Sequence, residues 1–156
     1  MFDEKTHIVG LASPVDTTTT TVSSDIVNLE NYHQVDFIVY FGTITDDTVV
    51  VTVEECDDVS PSNSTAIAFN YRESGATGTS DTFGDITAAT STGFTAAADD
   101  DDHILLISLD ASELAAGYPM ARVVADPGSS ASAVEIAILA VCYPRYPQNA
   151  QITAIA

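Results

Sequence analysis

Positive charge is nearly missing from this sequence. Its 156 residues carry four Lys and Arg against 23 Asp and Glu, a formal net charge of −19. Affinity for nucleic acid rests on Lys and Arg neutralising phosphates, so the balance excludes a nucleic-acid partner. No basic cluster is present to hold an anionic membrane either. The acids read as a coat that keeps a surface soluble. Cysteine is scarce: Cys56 and Cys142 are the two present. They are too few for a disulfide framework and are read as two buried thiols or one bridge. No stretch approaches the roughly 20 apolar residues of a membrane-spanning helix. Residues Met1 to Leu11, MFDEKTHIVGL, lack the apolar core of a secretory signal, so the expectation is a protein made in the cytoplasm. Catalytic signatures are missing as well. There is no GxSxG, P-loop, HExxH, CxxC or dinucleotide fingerprint.

What is present is strand. The length suits one domain with a core of its own. The stretch Val35 to Arg72 alternates apolar and polar residues with the period of two that a strand demands. It reads as a three-stranded antiparallel meander, Val35–Phe41, Thr48–Glu54 and Thr65–Arg72. Val35, Phe37, Val39 and Phe41 share its inner face with Val49, Val51, Val53, Ile67, Phe69 and Tyr71. Gly42 to Asp47 and Asp57 to Ser64 are the turns. The second face, with Ile38, Ala66 and Ala68, is too apolar for open water. A cover is expected there, from the segment Glu73–Ala98, from the tail, or from another subunit.

Upstream, residues 1–24 hold five consecutive threonines, Thr17 to Thr21, which favour extended backbone. They read as an N-terminal arm or edge segment. Downstream, Glu73 to Ala98 is expected to hold short strands near Phe83–Thr87 and Gly93–Ala96. Ile104 to Leu109 is a buried strand. Asp110 and Glu113 form a capping box over one helical turn that Gly117 ends. Met120 to Ala125 is a strand, Asp126 to Ser130 a turn. Ala133 to Tyr143 is the longest strand, expected to be central and covered on both faces. Residues 144–156 form an extended tail broken by prolines, and 25–143 form the domain. The fold class is all-β: an antiparallel β-sandwich, jelly-roll-like, with one short helical turn and extended termini.

Few residues invite chemistry. His7, His33 and His103 sit in different elements without a motif and read as surface or turn histidines. Asp57 and Asp58 are adjacent on a turn, and adjacent acids point apart, so they do not make an opposed catalytic pair. The run Asp99, Asp100, Asp101, Asp102 before His103 is the one metal candidate. Calcium takes six to eight oxygens from acidic loops, yet the DxDxDG spacing is absent, and a solvated acidic loop is the preferred reading. No catalytic residue, cofactor or resident metal is assigned, and the chain is read as no enzyme. The scarce arginines Arg72, Arg122 and Arg145 should find carboxylates, within the subunit or across an interface. With Tyr146, Ile152 and Ile155 of the tail they are the interface candidates.

Several stretches together carry a resemblance. They are TVEECDDVSP, AIAFNYR, DITAATSTGF, ILLISLDASELAAGYPMARV and the closing YPRYP. From about Asp25 onward the chain resembles virion structural proteins of tailed bacteriophages, of the head decoration or capsid-cement type. The resemblance implies a β-rich subunit on the outer surface of an assembled shell, commonly a homotrimer. It implies the major capsid protein as partner, a virion location, and no catalytic residues to carry over. Two other readings stay open: a receptor- or glycan-binding surface module with an acidic calcium-binding loop, and a β-rich tail or connector subunit.

Overall fold

The computed structural model describes residues 5–45, 48–128, 133–146 and 153–155. Twelve strands run in chain order: β1 (His7–Thr17), β2 (Val22–Ser23), β3 (Val27–Asn28), β4 (Tyr32–Thr45), β5 (Val49–Cys56), β6 (Ser64–Ile67), β7 (Phe69–Glu73), β8 (Thr87–Ala89), β9 (Phe94–Ala96), β10 (Ile104–Asp110), β11 (Met120–Asp126) and β12 (Ala133–Pro144). Two 3-10 turns interrupt them, Ala98–Asp100 and Ala111–Glu113. No helix among the described residues is long and apolar enough to cross a membrane.

The strands form two antiparallel sheets. Sheet A has the order β1-β12-β4-β10-β7-β8, and sheet B the order β2-β11-β5-β6 with β3 beside β11 and β9 beside β5. The pairings are nested. β5 pairs with β6, β4 with β10, β2 with β11, and β1 with β12. The chain therefore behaves as one long hairpin, folded so that its two arms wind together into both sheets. That nesting is the jelly-roll arrangement, and it agrees with the β-sandwich expected from the sequence.

The core lies between the sheets. Val35, Phe37, Val39 and Phe41 of β4 and Val49, Val51 and Val53 of β5 are fully buried, as their alternation requires. Leu105, Ile107 and Leu109 of β10, Val123 of β11, and Ile136 and Ile138 of β12 complete it. Aromatic rings bridge the layers at one end. Phe94 of sheet B meets Tyr71 of sheet A edge-on, with centroids 5.0 Å apart, and Phe41 at 6.5 Å. Such pairs contribute about 0.5–1.5 kcal/mol beyond burial. Cys56 and Cys142 are free and buried.

The meander is not formed. β4 belongs to sheet A and β5 to sheet B, so the connection between them crosses the sandwich. The expected third strand divides at Ala68 into β6, on β5, and β7, on β10. Ile67 and Phe69 both face the interior, one from each sheet. The alternation therefore passes through the switch unbroken, which is why the pattern is silent about it. Ala68 itself is exposed, and among the described residues nothing covers it.

The described segments nearest each terminus join the sheets. β1 supplies one edge strand of sheet A and β2 one of sheet B. Residues 153–155 return to β3, where Asn28 N–H donates to the Ala154 carbonyl at 2.8 Å and Ile155 bridges Val27. The expected helical turn is present. Asp110 accepts from Ser112 N–H, Glu113 accepts from Asp110 N–H, both at 2.8 Å, and Gly117 follows at φ +93°. The short strand expected near Phe83–Thr87 sits instead at Thr87–Ala89, and the one near Gly93–Ala96 is β9. Gly93 has φ +90°, and a Cβ there would press on the Val51 carbonyl. The expected turn Gly42–Asp47 is corrected, since residues 42–45 continue β4, which pairs with β12 as far as Thr45; the rest of it, and part of Asp126–Ser130, fall outside the described residues.

Candidate functional site

Two features stand out on this framework. The first is the outer face of sheet A. Its strands present every second residue outward, and the register aligns those residues in rows. One row runs Gly10, Leu139, Ile38, Leu106, Arg72 across β1, β12, β4, β10 and β7. The next runs Ile8, Val141, Asp36, Ser108, Asn70, and a third aligns Ala137, Tyr40 and Ile104. Ile8 is 53% exposed and Leu139 37%. The expectation that β12 is covered on both faces is therefore corrected: among the described residues its outer side has no cover, because β12 pairs edge-to-edge with β1 and β4 and nothing is layered above it.

In a chain with 23 acids, the centre of this face holds one, Asp36. It is tied down. The Tyr143 hydroxyl donates to Asp36 Oδ2 and Gln34 Nε2 donates to Oδ1, both at 2.9 Å. Burial, then the Asp36 carboxylate, pushes the Tyr143 hydroxyl up to about 12. At the end of the face Arg72 is exposed, and among the described residues no carboxylate lies within 4.0 Å of it. It lines a groove of about 530 Å³ with Gln34, Asn70, Leu106, Ser108 and Glu113. Sheet B differs. Its outer face carries the cross-strand pair Arg122–Glu54, which stand opposite in register, with Arg122 Nε and Nη2 at 2.8 and 2.7 Å from Glu54 Oε2.

The second feature is a cluster at the end of β7. Glu73, Asp100 and His103 offer ligand atoms that all lie within 4.8 Å of one another, and all three residues are half-buried. His103 Nδ1 is 2.8 Å from Glu73 Oε1 and 3.9 Å from Asp100 Oδ1. Burial raises the Glu73 carboxyl above its ordinary range; a hydrogen bond shared with Asp100 adds to this and His103 opposes it. A cavity of about 480 Å³ opens on the cluster, with Asp85 and Asp99 on its wall.

The acidic run does not act as one loop. Asp101 Oδ1 accepts from Ile44 N–H at 2.6 Å and Asp100 Oδ2 from Ala97 N–H at 2.8 Å. Asp102 adopts φ +60° and is exposed, as is Asp99. Of the interface candidates, Arg122 finds its carboxylate inside the subunit. Arg145 N–H donates to Asn31 at 3.0 Å. Tyr146 is 77% exposed and Ile155 is packed against the core, while Ile152 lies outside the described residues. His7 lies 2.9 Å from the Tyr32 hydroxyl, and His33 faces the Pro144 carbonyl at 3.3 Å. Glu73 was not singled out from the sequence, because the strand pairing that brings it to His103 leaves no local mark.

No protein-family model matches the chain, and no curated protein does. Among solved structures it is similar to the T13 viral particle of infectious bursal disease virus, at 12% identity and a TM-score of 0.29, over 92% of this chain and 40% of that one. It is also similar to the VP2 subviral particle of the same virus, at 11% identity and a TM-score of 0.27, over 92% and 42%. The chain thus spans about two fifths of the length of these proteins. Likeness at this level adds nothing to the strand pairings, and the functional reading rests on the surface of the chain itself.

Proposed function

We propose that the chain is a non-enzymatic virion structural protein that binds the outer surface of a tailed-phage capsid and cements the shell. The outer face of sheet A carries this reading. Its centre is apolar on a strongly acidic molecule: the three rows hold one acid, the tethered Asp36, while Asp16, Glu135 and Asp110 stand toward the ends of the strands. A sheet face whose centre is apolar while the surface around it accumulates charge is built to be covered. Its occupant is the shell, formed by the major capsid protein, with an apolar patch opposite Leu139, Ile38 and Leu106 and a carboxylate opposite Arg72. The net charge supports a position outside that shell, since packaged nucleic acid repels it. The jelly-roll arrangement agrees, being one that viral capsid domains use, although fold alone assigns no function. Copies of the subunit associate as a homotrimer.

The test adds purified protein to shells assembled from the major capsid protein alone. Co-sedimentation at a fixed stoichiometry and a raised melting temperature of the shell are expected, with a trimer by light scattering. A monomer that leaves the shells unbound and no more stable sinks the proposal.

A second reading is favoured by the groove at Arg72. Jelly-roll domains also serve as lectins, and Asn70, Ser108 and Gln34 beside Leu106 offer the amide and hydroxyl groups that hold a sugar. Binding to a glycan array, abolished by Asn70→Ala with shell binding intact, decides for it.

A further inference from the structure

We propose that Glu73, Asp100 and His103 form a binding site for a divalent transition-metal ion of the zinc class, not for calcium. The site is independent of the capsid reading. Three elements converge to build it: the end of β7, the first 3-10 turn, and the residue that enters β10. Their ligand atoms lie within 4.8 Å of one another. An ion held at bonding distance by an imidazole and two carboxylates needs ligand atoms about 3.0–3.4 Å apart. The separations of 2.8 and 3.9 Å from His103 Nδ1 bracket that range.

The donor chemistry chooses the metal. Calcium and magnesium take oxygen ligands, whereas imidazole with carboxylates suits zinc and its neighbours. The same His103 nitrogen faces both carboxylates. A single N–H serves one acceptor at a time, while a cation serves all three groups together. The cavity beside the cluster leaves its open side accessible to an ion and to water. Asp100 gives Oδ2 to the Ala97 N–H and turns Oδ1 toward His103, whereas Asp101 lies outside the cluster with Oδ1 on the Ile44 N–H and Asp99 and Asp102 are exposed. A bound ion would pin the loop 98–103 to the end of β7.

The test titrates metal-stripped protein with zinc chloride, and separately with calcium chloride, by calorimetry in about 0.15 M salt, which screens diffuse binding to an acidic surface. One equivalent of zinc is expected. His103→Gln and Glu73→Gln should each weaken it by about tenfold or more, and Asp99→Asn should leave it unchanged. The wild-type protein gives a second readout that needs no variant. Of the three histidine ring signals in its NMR spectrum, zinc should move that of His103 and leave those of His7 and His33 in place. Absence of zinc binding up to millimolar concentration overturns the proposal. So does equal weakening by Asp99→Asn and His103→Gln, or calcium displacing zinc at equal concentration, or an unmoved His103 signal.

Discussion

Leu139 separates a docking surface from an ordinary strand face. It stands on the outer side of β12 between Gly10 and Ile38, with 37% of its surface exposed. Fully burying a leucine contributes about 1.5–3 kcal/mol, so covering the exposed third contributes about 0.6–1.1 kcal/mol per subunit. Leu139→Ala should therefore weaken docking on the shell about three- to sixfold. Leu139→Glu does more. It places a carboxylate where the interface is dry, a penalty of several kcal/mol, and should weaken docking more than about a hundredfold. In the free subunit that carboxylate stands at the water boundary. The cost to folding is about 1 kcal/mol, or about 2–4 °C in melting temperature for a domain of this size. Circular dichroism melting of the subunit and co-sedimentation with shells read the two effects separately. Leu139→Glu protein that binds shells as the parent does refutes the reasoning. So does Leu139→Ala protein that loses more folding stability than shell affinity, since Leu139 would then belong to the core.

Four further outcomes are expected. Burial pushes the Cys142 thiol up to about 12 and the Cys56 thiol to about 11, and both are enclosed in the sandwich; both should resist a thiol reagent until denaturant is added, and rapid labelling of the folded protein contradicts this. A double-mutant cycle on Arg122 and Glu54 should give a coupling of about 0.5–1 kcal/mol that falls with salt, and zero coupling at low salt contradicts the cross-strand pair. Gly93→Ala should destabilise by about 1–3 kcal/mol in urea unfolding, through its positive φ and the Val51 carbonyl; an unchanged midpoint counts against that geometry. The Asn63 side chain, donating to Asp57, holds the Asp57 carboxyl below its ordinary range. Its folded value is thus depressed, and the contribution is complete above the unfolded value and lost as pH falls through the folded one. Asn63→Ala should raise the Asp57 midpoint in an NMR titration, and an unmoved midpoint removes Asn63 as the cause.

Strand positions were legible in the sequence because burial imposes a period of two. Val35, Phe37, Val39 and Phe41 point inward as the alternation says, and the Asp110–Glu113 box closes its turn because capping is local. Sheet membership was not legible. The pattern that buries Ile67 in one sheet also buries Phe69 in the other, so a strand that changes sheets at Ala68 reads like one that does not. Of the residues that prompt an expected cover, Ala68 stands in solvent on the switch between sheets, whereas Ile38 does lie in an apolar row, between Leu139 and Leu106. His103 and Asp100 were visible as a candidate. Glu73 was not, since it reaches them through the pairing of Leu105 with Glu73 between β10 and β7, a contact that no spacing in the chain announces.

The nested pairing has a consequence for how the molecule comes into being. β5 and β6 meet across a short turn, and each further pair closes a longer loop, until His7 meets Cys142. Loop closure grows costlier with separation, and topologies dominated by distant partners form slowly. During synthesis β1 and β4 emerge long before β12, which must then slide between them with Val134, Ile136, Ile138 and Ala140 turned inward. Until it arrives, each of them presents an unpaired edge to every neighbouring nascent chain. Mutual repulsion at a net charge of −19 keeps those half-made sandwiches apart, so the acidity that marks the finished surface also protects the molecule before it has one.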